Sequence, residues 1–160
     1  MKKITAFLAV IVSLMLMLNA CSSNEGGVVS KTDKTAAELL NTVVNSIDFP
    51  QLIDVTDESR IGEMGIDLSI AEDYAVVQQM LSVDVVEVII LKVKDGEIGK
   101  AVEALEARRE SLINDFAFYP EQVESANATV VGSEKEVAYL ICHVDASVAE
   151  EKLIEEINAG

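Results

Sequence analysis

The spacing of apolar positions changes several times along the chain, and each change marks an element. From Ile4 to Leu18 the run is apolar apart from Thr5 and Ser13, with no polar face. Ser22 to Lys34 is polar and contains Gly26-Gly27, which reads as a flexible stalk. Thr35-Ala36-Ala37-Glu38 is a capping box, and Ala36, Leu40, Val43 and Ile47 then recur at helical spacing. This predicts a helix over 36–48, closed at Asp48-Phe49-Pro50 because proline disfavours a helical residue before it. Leu52 to Tyr74 is less regular: candidate caps at Thr56 and Ser69, with a turn at Gly65, predict short helices over 57–64 and 69–73. Residues 75–81 read as a first strand at a sheet edge. Residues 85–94 read as a stronger one, because a branched run apolar on both faces belongs at the centre of a sheet under helices.

Asp95-Gly96 turns the chain into its longest periodic segment, an amphipathic helix over 97–117. Ile98, Ala101, Val102, Leu105, Leu112, Ile113 and Phe116 form its apolar side, whereas Glu106 and Arg109 belong to a solvated face of weak ion pairs. The cluster Phe116, Phe118 and Tyr119 is assigned to packing under the helix end in preference to a ligand platform. Pro120 opens one helical turn. Strands over 128–132 and 137–144 then form a hairpin across Ser133 to Glu136. In the second strand Ala138, Leu140, Cys142 and Val144 share one face, and Tyr139, Ile141 and His143 the other. That other face is only partly apolar, so if uncovered it is the candidate interaction surface. Ser147-Val148-Ala149-Glu150 is a further capping box, opening a last helix with Ala149, Leu153, Ile154 and Ile157 inward.

The order of elements predicts an α+β domain, a two-layer sandwich in which a mostly antiparallel sheet of three or four strands is covered by helices. No strand–helix–strand unit with a glycine-rich turn occurs, which disfavours a doubly wound nucleotide fold. The chain divides into 1–20, a leader; 21–34, Cys21 and the stalk; and 35–160, a single acidic domain.

Charge narrows the partners. All 28 acidic residues follow Cys21, and two of the 12 basic ones precede it, so the chain from Cys21 onward carries 10 minus 28, or −18. Such a charge repels phosphates, which excludes nucleic acid and leaves an anionic membrane unattractive to the domain itself.

Candidate chemistry is sparse. There is no Walker loop, dinucleotide fingerprint or zinc-ligand spacing, so neither a metal nor a catalytic set of residues is predicted. The acidic stretch Asp54 to Arg60 lacks the alternating ligands and central glycine of a calcium loop. Glu150/Glu151 and Glu155/Glu156 are neighbours on one helix and read as solvated charge. Cys142 and His143 are adjacent and point to opposite faces of a strand, so they make no nucleophile–base pair; Cys142 reads as a buried structural thiol.

Met1 to Cys21 resembles a bacterial lipoprotein signal peptide. Lys2 and Lys3 form its basic start, the apolar run is shorter than the roughly 20 residues a spanning helix needs, and Leu18-Asn19-Ala20-Cys21 resembles a lipobox. The resemblance implies cleavage before Cys21 and a diacylglyceryl thioether on its sulfur, the only covalent group expected and no cofactor. It implies a domain held at the extracytoplasmic face of the cell membrane by its lipid.

Glu87 to Gly96 (EVIILKVKDG), Ala101 to Ser111 (AVEALEARRES) and the strand Val137 to Val144 resemble the DUF4358 domain family, small lipoproteins of low-GC Gram-positive bacteria. The likeness covers about Thr35 to Ile157 and implies no catalytic residues. Together these readings predict a non-catalytic binding module with an envelope protein as partner; the alternative is a small solute-binding or hydrolytic lipoprotein acting on envelope material.

Overall fold

The structure is a computed structural model that describes residues 31–80 and 85–159. Its elements are α1 (Ala36–Val44), β1 (Leu52–Asp54), α2 (Glu58–Glu63), a 3₁₀ turn (Leu68–Ile70), β2 (Ala71–Gln79), β3 (Glu87–Val93), α3 (Ile98–Ser111), a π turn (Leu112–Phe116), α4 (Pro120–Ala128), β4 (Val130–Glu134), β5 (Val137–Cys142) and α5 (Ala146–Ala159). The strands form one open, antiparallel sheet in the order β1-β2-β3-β5-β4.

The α+β class and the antiparallel sheet follow the sequence pattern. The sheet has five strands, not three or four, and helices cover both of its faces. The alternation of β3 shows why: Ile89, Leu91 and Val93 enter one core with Ala101, Leu105 and Leu112 of the α3 side. Val88 and Ile90 enter a second core with Leu39, Leu40 and Val43 of α1 and Leu153 and Ile157 of α5. A strand apolar at every position needs cover on both sides.

The added strand is β1, three residues too short to show a period; it places β2 inside the sheet, so the strand expected over 75–81 is not at an edge. The helix expected over 69–73 is instead the 3₁₀ turn followed by the start of β2. Asp67 and Asp57, rather than Ser69 and Thr56, cap these short elements, each accepting the backbone N–H two residues on, at 2.8 and 2.9 Å. Ser147 does not cap α5. That helix begins at Ala146, and the turn before it is held by His143, whose Nδ1 accepts the Asp145 N–H at 3.0 Å.

Residues 31–34 join the sheet at the end where β3 finishes, hereafter the near end. Both oxygens of the buried Glu136 accept the Thr32 N–H, at 3.0 and 3.1 Å, and Lys92 Nζ lies 3.6 Å from Glu136 while donating to the Thr32 carbonyl. Lys31 pairs with Glu72 and Asp95, and Lys34 with Glu156. The far end holds the start of β3, the end of β5 and the C-terminus of α3.

Candidate functional site

The far end is built on a buried ion pair. Glu87 opens β3 and Arg108 lies on the inward stripe of α3, between Leu105 and Leu112. Arg108 donates from Nε and Nη2 to the two Glu87 carboxylate oxygens, each at 2.8 Å. Gln78, across the strand from Glu87, donates to Glu87 Oε2 at 2.9 Å and accepts from Arg60 at 2.8 Å. The pair is thus bidentate and further bonded, the arrangement that buried charge requires.

The Arg108 guanidinium stands 5.1 Å from the Phe116 ring centroid, a cation–π contact. Phe116 ends the π turn, in which the Ala117 N–H reaches back to the Leu112 carbonyl at 3.0 Å. The wider turn puts the chain out of helical phase just after the buried Leu112, so Ile113 and Phe116 leave the apolar stripe and face solvent. Beyond it, the buried Gln122 accepts the backbone N–H groups of both Phe118 and Tyr119, at 2.9 and 3.0 Å. Pro120, at the first position of α4, fixes the backbone between them. The result is an aromatic ledge on a locked backbone: Phe116 is 49% exposed, Phe118 77% and Tyr119 63%. The expectation that these rings pack under the helix end is therefore corrected. The π turn, which hydrophobic spacing does not announce, turns them outward.

The residues singled out in the sequence lie elsewhere. Cys21 falls outside the described residues. Tyr139, Ile141 and His143 do not form an open surface, because α1 and α5 cover that face of the sheet and leave Tyr139 2%, Ile141 0% and His143 8% exposed. Tyr139 donates its hydroxyl to Glu150 at 2.8 Å, and His143 packs against Phe49 with ring centroids 4.9 Å apart. Cys142 is a buried free thiol on the opposite face, and burial pushes it up to about 12, away from any nucleophilic role.

A concavity of about 600 Å³ lies between α1, the segment after β1, and β2, and is lined in part by Asn41, Asp54, Thr56, Asp73 and Tyr74. Asp73 is already committed to the backbone: its two oxygens accept the N–H groups of Ala36 at 2.7 Å and Tyr74 at 2.9 Å. Among the described residues no group of three or more His, Cys, Asp or Glu is placed to hold a metal ion. None of their helices is long and apolar enough to cross a membrane.

The architecture defines a class, an α+β domain with an open five-stranded antiparallel sheet between helices. Residues 45–143 match the family described as a domain of unknown function, DUF4358, and the chain belongs to it. The matched span carries the sheet, the Glu87–Arg108 pair and the ledge, while α1 and α5 lie outside it. No curated protein and no solved structure is matched by the chain.

Proposed function

We propose that the chain is a non-catalytic binding module, tethered to the extracytoplasmic face of the cell membrane through a lipid on Cys21 and recognising an envelope protein. The observation that carries the reading is the ledge at Phe116, Phe118 and Tyr119. A buried glutamine fixes the backbone that carries Phe118 and Tyr119, and Phe116 rests on the buried ion pair, so this segment has already lost much of the backbone freedom that binding would otherwise take from it. Tyrosine and phenylalanine are also enriched at protein interfaces and bury large areas there. The tether is supported by the basic start, the apolar run and the Leu18-Asn19-Ala20-Cys21 sequence. Two acyl chains provide the stable attachment that a strongly acidic domain does not gain from anionic lipid.

A solute-binding or hydrolytic role would draw on the concavity beside Asp54 and Asp73. Asp73 holds the start of α1 and the β2 backbone, which leaves Asp54 without a second free carboxylate for acid–base work.

Chemical cross-linking in living cells tests the reading. The anchored chain yields a defined protein adduct, and Cys21→Ala loses both metabolic acyl labelling and the adduct. Labelling that persists in Cys21→Ala would refute the tether, and no adduct from the anchored chain would refute the binding role.

A further inference from the structure

The exposed apolar side chains avoid one end of the described molecule. Among the described residues, none of the large hydrophobic ones more than a third exposed lies at the near end, where residues 31–34 join the sheet. Met80 follows β2 and Val144 follows β5, both at the far end that also carries the ledge, and they are 48% and 43% exposed. The segment that carries the ledge holds charge of one sign, and the nearby cations Arg109 and Arg60 are bonded to Glu106 and Gln78. From Glu110 to Glu134 the chain has no lysine or arginine, and Glu110, Asp115, Glu121 and Glu124 are all exposed. Arg108 is neutralised by Glu87, so it adds no free positive charge there.

Resting on the binding-module reading and deepening it, we infer that the ledge docks a segment of an envelope protein with an apolar core and lysine or arginine flanks. Charge decides among occupants. A second copy of this chain would set one acidic rim against another, and an anionic bilayer would meet the same repulsion. A basic-flanked apolar segment instead covers the rings and satisfies the carboxylates around them. The position of the ledge agrees: Lys31 and Thr32, which follow the proposed stalk, lie at the near end, and the ledge lies at the opposite end.

The inference is tested on the domain chain from Lys31 onward together with the full lipidated chain in detergent, using a synthetic peptide with a Leu/Phe core and Lys flanks. Controls are the same core with Glu flanks and a Ser core with Lys flanks. Amide shifts on titration are expected at residues 113–123 with the first peptide alone, with affinity falling as salt rises. Phe118→Ser with Tyr119→Ser is expected to weaken binding about tenfold or more, while Phe118→Tyr retains it. Equal binding of the Lys-flanked Ser-core peptide, or binding indifferent to the ledge substitutions, would overturn the inference by reducing it to general charge attraction. So would a dimer in sedimentation abolished by the same substitutions, or ledge-dependent binding to phosphatidylglycerol vesicles. A cellular adduct that persists in the Phe118→Ser, Tyr119→Ser chain would overturn the docking site and leave the binding-module reading standing. Absence of any adduct from the unaltered chain would remove that reading itself.

Discussion

Arg108 and Glu87 are the residues on which the site depends. Removing either partner leaves the other charged group buried, so Arg108→Ala or Glu87→Ala is expected to cost about 3–5 kcal/mol. Glu87→Leu combined with Arg108→Met is expected to cost less than either single change, since no buried charge is then unpaired. Urea midpoints on the four proteins check both statements. Cys142 gives a pH prediction. Burial raises the folded thiol to about 12 from an ordinary value of 9.0. An unfolded chain therefore releases this proton first, and the thiol's contribution to stability is complete below pH 9.0 and lost as pH climbs toward 12. In a Cys21→Ala chain, a disulfide reagent at neutral pH is expected to find no reactive thiol until urea unfolds the domain, and one afterwards. The ion pair had a trace in the sequence: Glu87 begins an apolar strand, and Arg108 interrupts the spacing of Ala101, Leu105 and Leu112. An acid and a base that both occupy inward positions are candidates for each other.

Among the elements, those with a strong period were legible and those set by one hydrogen bond were not. β3, β5 and the first four turns of α3 follow from branched runs and a helical stripe. The π turn does not, because Ile113 and Phe116 would continue that stripe if the phase were kept. β1 and the caps of the short elements were missed for a similar reason: three residues carry no period, and Asp57 and Asp67 each act locally, on the serine two residues on. Those contacts have a pH signature. Hydrogen bonds from Thr35, Ser59 and Ser69 hold Glu38, Asp57 and Asp67 below their ordinary values of 4.5, 3.8 and 3.8. Their support is complete above those values and disappears as acid protonates them, so circular dichroism is expected to show stability falling as pH drops below 4.5. The hairpin makes a separate prediction. Gly132 lies across from Tyr139, and a Cβ there would stand 2.7 Å from the buried ring's Cζ. Gly132→Ala is expected to lose about 1–3 kcal/mol by overpacking, read from thermal unfolding.

For the whole molecule, a sheet with helices on both faces leaves its ends, rather than its faces, as the places where function can be displayed. The sequence named the face at Tyr139, Ile141 and His143 as the candidate surface because helix placement cannot be read from one strand's alternation. α1 and α5 close that face, and the apolar residues that remain exposed lie away from the end where residues 31–34 are held by Glu136 and Lys92. A domain whose residues 31–34 lie at one end and whose aromatic ledge lies at the other is suited, under the proposed tether, to presenting that ledge outward. The most direct measurement is site-specific photo-cross-linking on intact cells, with a photoreactive phenylalanine at position 118 or, as control, at position 72. A discrete protein adduct at 118 and none at 72 is the predicted result; no adduct at 118, or the same adduct at both positions, would contradict a partner docked on the ledge.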